Sequence, residues 1–410
     1  MIERHLTDRL CRSLQDAPVV YLQGARQTGK STLVQTIAQS RHPAKYYSLD
    51  TATVLSAVEN DPEGFISGLE GPAVIDEVQR VPSLLLAIKA AVDAQRKPGR
   101  FLLTGSASVL ALPKISDSLV GRMELHTLWP FTQGELESWP ETFLEKVFQK
   151  TPCFEAPPKL SQPELLQRVL VGGYPEATIR KGKERRIMWF DSYITTLLHR
   201  DVRDLAHVEK LAEIPRLLQL LASRAASLLN YADIARSLSF SQSTLKRYMA
   251  LLETVFLVRL LPAWSTNIGK RLVKSPKLLF TDTGLLSHVI DLDLDRLRSD
   301  RTLLGHILEN FVAMELIKQL GWSKKRCNLY HFRTETGHEV DLVLEDPAGQ
   351  IVGIEVKSTV SVDAKDFKGL KALEEIAGKR FIRGILFHLG STIVPFAKNM
   401  HAIPIHSLWA

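Results

Sequence analysis

The sequence has few cysteines and no long apolar run. Its 410 residues include three widely separated cysteines and no Cys-x-x-Cys pair, so we expect neither a disulfide framework nor a zinc site. So little cysteine also fits a reducing, cytoplasmic setting. No stretch reaches the ~18 apolar residues of a membrane-spanning helix, and no signal-peptide apolar segment follows Met1. We therefore expect no membrane contact.

The composition is that of an ordinary globular protein. Apolar residues make up 45% of the chain and charged residues 24%. The length suffices for about two to four domains of usual size. The formal net charge of +7 favours polyanionic partners, but only weakly on a chain this long.

A strand, a glycine-rich turn and a helix follow one another near the N-terminus. The apolar run 19–22 leads into the pattern G-x-x-x-x-G-K-S, and a helical run 32–39 follows it. This is the context of a P-loop, in which backbone N–H groups and a helix N-terminus bind phosphate. We expect Lys30 to reach the β- and γ-phosphates of ATP and Ser31 to bind Mg²⁺. The predicted ATP-binding loop comprises Gly24, Ala25, Arg26, Gln27, Thr28, Gly29, Lys30, Ser31 and Thr32.

An apolar strand that ends in two carboxylates comes about 45 residues further on. Residues 73–75 are apolar, and Asp76 and Glu77 follow them. An ordinary polar strand end would give the same pattern, but the spacing behind a P-loop favours catalysis. Asp76 is then predicted to help hold Mg²⁺, and Glu77 to orient or deprotonate the attacking water.

Two further strands complete a predicted α/β module. The strand 100–106 carries Thr104 and Ser106, which are candidates for sensing the γ-phosphate; a simple polar turn is the alternative. A strand at 123–128 follows a helical stretch that ends at Arg122. With a further strand predicted at 46–50, five strands with helices between them predict a parallel, doubly wound sheet.

This order resembles the additional-strand P-loop ATPases, in which the sensor strand lies between the two Walker strands. It also resembles AAA+ ATPases, in which an arginine finger commonly occupies the place of Arg122. The resemblance implies that Arg122 reaches a neighbouring subunit's nucleotide and that the protein is a homo-oligomer. A surface arginine is the alternative.

The middle of the chain predicts a connector and a helix-turn-helix. Residues 138–163 are rich in proline, and helical segments follow over 164–221. The basic run 180–186 is either a solvated face or a nucleic-acid contact. Two helices capped by Asn230 and Ser241 form a helix-turn-helix, for which 255–261 is expected to supply wing strands. Such a winged helix binds DNA or serves only for packing.

Acidic and basic residues near the C-terminus have the spacing D…ExK. Asp341 lies on one predicted strand, and Glu355 and Lys357 lie on one face of the next. Glu309 lies on the helix 301–320 that precedes them. This pattern is similar to the PD-(D/E)xK nuclease fold, with Glu309, Asp341 and Glu355 as ligands of a second divalent metal and Lys357 as a catalytic lysine. A strand pair with a surface charge triad is the alternative.

The whole chain resembles a family of bacterial and archaeal ATPases that join an AAA+-like module to a winged helix and a PD-(D/E)xK-like domain. The segments that carry the resemblance are 24–32, 75–79, 104–106, 172–176, 280–285, 308–310 and 339–357. Ala25 departs from the family's frequent proline, and because backbone amides bind phosphate this does not affect ATP binding. The implied domains are an ATPase domain at 1–137, a connector at 138–221, a winged helix at 222–275 and a nuclease-like domain at 276–410.

The resemblance implies a cytoplasmic Mg²⁺-dependent ATPase. The leading hypothesis is that its nucleotide state is coupled to nucleic-acid binding, with DNA favoured over RNA. A second hypothesis is that the C-terminal module is a metal-dependent nuclease. The alternative is an ATP-driven regulatory switch that acts on protein partners and carries an inert nuclease fold.

Overall fold

The computed structural model describes residues 2–108, 119, 121–154, 160–199 and 213–409. The chain folds as two units. The first comprises Met1–Pro130, Thr196–His207 and Ala250–Leu257. The second comprises Phe131–Thr195, Val208–Met249 and Val258–Ala410.

Helices and strands alternate through the N-terminal part of the first unit. In chain order they are α1 (Thr7–Asp16), β1 (Val19–Gln23), α2 (Lys30–Ser40), β2 (Lys45–Ser48), α3 (Ala52–Asn60), α4 (Pro62–Ser67), β3 (Ala73–Asp76), α5 (Leu84–Ala94), β4 (Phe101–Gly105) and β5 (Met123–Thr127). The predicted helical stretch just before Arg122 falls largely outside the described residues.

The strands of the first unit form one parallel sheet in the order β2-β3-β4-β1-β5. The strand β4 pairs with β1 on one side, with Val20 opposite Leu102, and with β3 on the other. The predicted parallel sheet is therefore confirmed, and the sensor strand lies between the P-loop strand and the acidic strand. The carboxyl ends of all three strands point to the same edge of the sheet.

Apolar side chains cover both faces of this sheet. Every residue of β1 is buried, as expected for a central parallel strand. On one face, Leu6, just before α1, and Leu10 and Leu14 of α1 are buried. On the other face, α5 buries Leu84 and Ile88, among others. Both layers hold the carboxyl edge in place.

The rest of the chain contains many helices and two further sheets. In chain order its elements are α6 (Gln133–Glu137), α7 (Phe143–Val147), α8 (Gln162–Val171), α9 (Pro175–Ile179), α10 (Lys183–Leu197), α11 (Ile214–Ala222), α12 (Tyr231–Leu238), α13 (Gln242–Thr254), β6 (Val258–Leu261), α14 (Ile268–Val273), β7 (Lys277–Phe280), α15 (Thr283–Val289), α16 (Leu294–Ser299), α17 (Arg301–Leu320), β8 (Asn328–Arg333), β9 (Glu339–Glu345), β10 (Ile351–Val356), α18 (Lys368–Ala377), β11 (Phe381–His388), β12 (Val394–Ala397) and β13 (Met400–Pro404). Within the described residues, no helix is long and apolar enough to cross a membrane.

The two helices of the predicted helix-turn-helix begin at the expected caps. The side chain of Asn230 accepts a hydrogen bond from the backbone N–H of Asp233 (3.1 Å), and Ser241 Oγ accepts one from the N–H of Thr244 (3.0 Å). The turn between them passes through Ser239, which has a left-handed φ of 55°. On α13, Leu245, Met249 and Leu252 are buried, whereas Gln242, Lys246 and Arg247 are exposed.

The strands beside α13 differ from the prediction. Only Val258–Leu261 of the expected wing segment is a strand, and its partner is Lys277–Phe280, which lies after α14. The pairing is antiparallel, with Val258 opposite Phe280. No local pattern in the sequence marks this partner, because a helix separates the two strands in the chain.

In the second unit, the segment that contains Gly173 packs closely against the segment that contains Gly284. The backbone N–H of Gly173 donates to Asp282 Oδ2 (2.7 Å), and the other oxygen of Asp282 caps α15 through the N–H of Leu285 (2.9 Å). A Cβ at Gly284 would lie 2.2 Å from the carbonyl oxygen of Val171. Complete burial raises the pKa of Asp282, against the opposing effects of Lys318 and these N–H donors.

The C-terminal sheet is mixed, in the order β12-β13-β11-β10-β9-β8. Strands β8, β9 and β10 are antiparallel, and β11 runs parallel to β10. The helix α18 buries Leu370 and Leu373 in a core that includes Val343 of β9. The helix 301–320 and the two strands that were predicted to carry Asp341 and Glu355 are therefore present.

Candidate functional site

The loop between β1 and α2 bends at residues with positive φ. Gly24 has a φ of 153°, Gln27 of 64° and Gly29 of 91°. A Cβ at Gly24 would lie 2.2 Å from the backbone oxygen of Leu128, so no larger residue fits there without displacing backbone. Gly29 precedes α2, so the positive end of that helix adjoins the loop.

Lys30 is buried against the loop that it follows. Its Nζ donates to the backbone oxygens of Gly24 and Ala25, both at 2.9 Å. The hydroxyl of Thr28 also donates to Ala25 O (2.9 Å). These contacts hold the lysine ammonium at the centre of the phosphate-binding motif, where carbonyl oxygens now receive its hydrogen bonds.

Arg4 ties this loop to a distant part of the first unit. Its Nη1 donates to the backbone oxygen of Thr28 (2.7 Å), and its Nη2 donates to that of Trp129 (2.6 Å). The side chain is buried. A guanidinium can bridge two carbonyl groups in this way because its donors are fixed in one plane. The sequence analysis missed this residue.

Asp76 lies at the end of β3 with hydroxyl donors on both oxygens. Thr104 Oγ1, on β4, donates to Oδ1, and the hydroxyl of Tyr46, on β2, donates to Oδ2 at 2.7 Å. Partial burial, together with the hydrogen bond to Asp76, raises the pKa of Tyr46 to about 12. The tyrosine therefore keeps its proton and acts as a donor.

Glu77 follows in a left-handed conformation, with φ 61° and ψ 42°. Its N–H donates to Thr104 Oγ1 (3.0 Å), and its Oε2 accepts from Ser106 Oγ (3.1 Å) and from the amide of Gln79. The same amide donates to Ser106 Oγ (2.9 Å). Thr104 and Ser106, predicted as sensors, thus contact both carboxylate residues.

The negative charge of Glu77 also affects Tyr21. Complete burial raises the pKa of the Tyr21 hydroxyl, and the charge of Glu77 raises it further. A Cβ at Gly105 would lie 1.9 Å from that hydroxyl oxygen. The glycine at the end of β4 therefore leaves room for a tyrosine beside the acidic pair.

The donor set at this edge suits Mg²⁺. Ser31 supplies a hydroxyl oxygen at the start of α2, and Asp76 supplies a carboxylate at the end of β3. Mg²⁺ is bound through a few oxygen ligands of this kind together with phosphate oxygens. The glycine-lined loop and Lys30 likewise suit a polyphosphate.

Arg122 pairs with a carboxylate of its own chain. Its Nη2 donates to Asp93 Oδ2 (3.0 Å), and its Nε donates to Oδ1. Hydrogen bonding to Arg122 lowers the pKa of Asp93. The role of Arg122 as a finger to a neighbouring subunit remains a prediction.

The residues of the predicted nuclease site do come together, but a lysine lies among them. Lys277 Nζ, at the start of β7, pairs with Glu309 Oε1 and lies 3.7 Å from Asp341 Oδ1. Asp341 Oδ2 accepts from the N–H of Val356 (2.8 Å). Lys357 Nζ donates to Glu355 Oε1 (3.1 Å). The sequence analysis had no reason to include Lys277.

The ionisation of this cluster reflects its burial. Burial raises the pKa of Glu309 well above its usual range, and Asp341 raises it further against the effect of Lys277. Burial and Asp341 raise the pKa of Glu355 to about 8, against the effect of Lys357. Burial alone would lower the pKa of Lys277, but Glu309 and Asp341 outweigh it and raise the pKa. The lysine therefore stays charged.

This cluster does not fit the predicted second metal. No group of three or more His, Cys, Asp or Glu side chains in the described part of the chain is arranged to hold a metal ion. The physical reason is that the Lys277 ammonium contacts two of the three expected ligands, Glu309 and Asp341, and repels any second cation. The structure thus brings Glu309, Asp341 and Glu355 together but does not support them as the ligands of a second metal.

Three stretches of the chain match known protein families. Residues 16–137 match the AAA domain family. Residues 162–296 and 304–408 match two domains of unknown function, DUF8612 and DUF4143. With its P-loop and parallel sheet, the N-terminal part of this chain is an AAA-type ATPase domain.

Two relatives that match most of the chain place it in a family. It is 36% identical over 362 residues to the uncharacterized protein Rv2008c of Mycobacterium tuberculosis, and equally to Mb2031c of Mycobacterium bovis. Each match covers 88% of this chain and 75% of the relative. The chain belongs to the family of these two mycobacterial proteins.

Solved structures give a weaker likeness. The RuvB Holliday junction branch migration motor of Thermotoga maritima is 19% identical, with a TM-score of 0.30 over 62% of this chain and 88% of RuvB. AMPPCP-bound DnaA from Aquifex aeolicus is 15% identical, with a TM-score of 0.30 over 61% and 86%. TM-scores this low support no conclusion about this chain.

Proposed function

We propose that this protein is a Mg²⁺-dependent ATPase whose nucleotide state is coupled to nucleic-acid binding. The observation that carries the proposal is the position of Thr104. Its hydroxyl contacts the carboxylate of Asp76 and the backbone of Glu77, and its strand pairs with the P-loop strand. A phosphate-binding loop and an acidic pair, on strands that flank the strand of Thr104, are the two parts that ATP hydrolysis needs.

ATP would bind through the loop amides and Lys30. The lysine would exchange the backbone oxygens of Gly24 and Ala25 for phosphate oxygens, which are stronger acceptors. Ser31 and Asp76 would hold Mg²⁺, which when bound supplies a positive charge that neutralises the phosphates. Arg4 fixes the loop from behind through Thr28 O.

Hydrolysis would use Glu77 as the acceptor of the water proton. Its carboxylate is held by Ser106 and Gln79, so we expect it to exchange one of these donors for water during turnover. Thr104 and Ser106 connect the acidic pair to the end of β4 and are suited to respond to the γ-phosphate.

Lys30→Ala tests the ATPase proposal. The variant should lose ATP affinity by at least about tenfold, because a charge-assisted phosphate contact disappears. Turnover should fall by about 100-fold or more, measured as phosphate release. Lys45→Ala, an exposed lysine on β2, is the matched control and should behave as the parent. Unchanged hydrolysis by a folded, contaminant-free Lys30→Ala protein would rule the proposal out.

A homo-oligomer follows if Arg122 acts on a neighbour's nucleotide. Arg122→Ala and Glu77→Gln would each be inactive alone. Mixed subunits should recover part of the activity, because a Glu77→Gln subunit donates its Arg122 to a site that retains Glu77. If oligomers shown to contain both variants recover no activity, Arg122 does not act on a neighbour's nucleotide, and its contact with Asp93 is its role.

Helix α13 is the proposed nucleic-acid contact. It exposes Lys246 and Arg247, and its last residue, Thr254, accepts a hydrogen bond through its backbone oxygen from the N–H of Ser108 (2.8 Å), three residues after the sensor strand. A change at the γ-phosphate sensor therefore has a short path to this helix.

The salt dependence of DNA binding tests this contact. Replacing Lys246 and Arg247 by alanine should reduce the slope of log affinity against log salt by about 2, as two phosphate contacts are lost. Lys368→Ala with Lys371→Ala, on the exposed face of α18, is the charge-matched control. A slope that both double variants change equally would indicate non-specific attraction.

The alternative is an ATP-driven switch that acts on a protein partner. It is favoured by Leu272 and Val273 on α14, whose side chains are 85% and 81% exposed. Exposed neighbouring apolar residues of this kind often mark protein contacts. ATP-dependent binding of a protein that Leu272→Ser abolishes, without salt-dependent DNA binding, would favour this alternative.

A further inference from the structure

Lys277 occupies an unusual position for a lysine. Its side chain is almost fully buried, with 7% of its surface exposed, among the carboxyl groups of the C-terminal sheet and α17. It pairs with Glu309 and lies 3.7 Å from Asp341 Oδ1. Buried lysines are rare unless they are paired, so these acidic partners are what make its position stable.

The cluster also contains an acceptor that Lys277 does not satisfy. Glu355 Oε2 is buried and has no hydrogen-bond partner within the described residues. Its other oxygen accepts from Lys357 (3.1 Å). The cluster therefore has three carboxyl groups and two lysines, and one carboxylate oxygen has no donor. Its carboxylates can accept more hydrogen bonds than its two lysines donate.

We propose that Lys277 is the resident cation of this cluster and excludes divalent metal from it. An ammonium and a divalent ion cannot both occupy the space between Glu309 and Asp341, because like charges at contact distance repel strongly in a buried site. Replacing Lys277 by an uncharged residue leaves the three carboxyl groups with Lys357 alone and opens the cluster to a divalent ion. The inference is independent of ATP hydrolysis.

It follows that metal-dependent cleavage at Asp341 and Glu355 is absent while Lys277 is in place. The lysine fulfils the charge balance that a metal would otherwise supply. The C-terminal module then acts through its surface.

Mn²⁺ binding, followed by the electron paramagnetic resonance signal of the free ion, tests the proposal. The full chain is used without nucleotide and with Ser31→Ala and Asp76→Asn, so that the P-loop site does not contribute. Adding Lys277→Met should produce one Mn²⁺ site per chain, at least about tenfold tighter than any binding before. Asp341→Asn in that variant should remove the new site.

Controls separate this effect from a general change in charge. Lys274→Met removes a nearby lysine that contacts Arg333 O and not the cluster, and should bind Mn²⁺ as the background does. Lys277→Gln serves if the methionine variant fails to fold, as judged by circular dichroism. A folded Lys277 variant with no gain in Mn²⁺ binding would overturn the proposal.

The protein with Lys277 intact gives an independent answer. It should show no Mn²⁺ binding that Asp341→Asn or Glu309→Gln reduces. If either substitution weakens an existing Mn²⁺ site, Lys277 does not exclude the metal and the proposal fails. This comparison decides the matter even if every Lys277 variant is unfolded.

Discussion

The hydroxyl of Tyr46 donates a hydrogen bond to Asp76 Oδ2 across 2.7 Å. Two neighbouring strands thus meet at the acidic pair. With Thr104 bound to the other oxygen, the carboxylate is held in one orientation before any nucleotide binds. Such preorganisation lowers the cost of assembling a site for a charged ligand.

Tyr46→Phe should slow ATP turnover by about three- to tenfold, because Asp76 loses one of its two orienting donors. Binding of ATP in EDTA should stay within about twofold of the parent, since the phosphate loop is untouched. The measurement compares phosphate release with nucleotide affinity in both proteins. Equal losses in the two quantities would show that Tyr46 supports the fold and not the carboxylate.

Arg4→Met should weaken ATP binding by about tenfold and lower the free energy of unfolding by about 2 kcal/mol. The backbone oxygens of Thr28 and Trp129 would both lose a charged donor inside the protein. Fluorescent-nucleotide titration and urea unfolding measure the two effects. Arg12→Met, an exposed arginine on α1, is the control. An Arg4→Met protein with unchanged nucleotide affinity would disprove the link to the loop.

Gly284→Ala should destabilise the second unit by about 2 kcal/mol or more, because its Cβ would strike the backbone of Val171. Gly305→Ala is a matched control within α17, where a Cβ meets no atom within 4 Å among the described residues. That substitution should be neutral or stabilise by up to about 1 kcal/mol. Urea unfolding compares them. Similar results for the two would contradict the close packing of Gly284.

His126 should make the first unit acid-sensitive. Burial and the positive charge of Arg9 lower its pKa to about 4, against the effect of Glu124. The unfolded chain binds a proton near the ordinary pKa of about 6.5, so stability is lost as pH falls from about 6.5 to 4. The loss amounts to about 3 kcal/mol.

His126→Gln tests this pH dependence. The free energy of unfolding is measured between pH 7 and pH 4 in steps of about one pH unit. As the pH falls, it should decrease less steeply for the variant than for the parent. His306→Gln, an exposed histidine on α17, should retain the parent's slope. Parallel curves for parent and His126→Gln would mean that another group is responsible.

Local patterns in the sequence predicted the P-loop, the acidic strand and the caps at Asn230 and Ser241. Each depends on residues that lie close together in the chain, where spacing determines which side chains share a face or a turn. The order of the five-stranded sheet came from resemblance. It could not come from periodicity, since strand pairing depends on contacts between distant segments.

Two of the residues that the sequence did not reveal act over long separations. Arg4 reaches Thr28 and Trp129, and Lys277 reaches Glu309 and Asp341. Neither residue belongs to a motif, and neither has a periodic neighbour that marks it. Gln79 lies two residues after Glu77, within the segment 75–79 that carries the resemblance. This position was the signal in the sequence for its contact with Glu77.

The left-handed backbone at Glu77 places two demands on one position. Glycine adopts that conformation at no steric cost, whereas glutamate pays for it. Glu77→Gly would therefore relax the chain and at the same time delete the carboxylate. Selection for thermal stability would favour glycine at this position, whereas selection for turnover would favour glutamate. In a thermostabilised variant of this protein, the residue at position 77 should therefore be examined first.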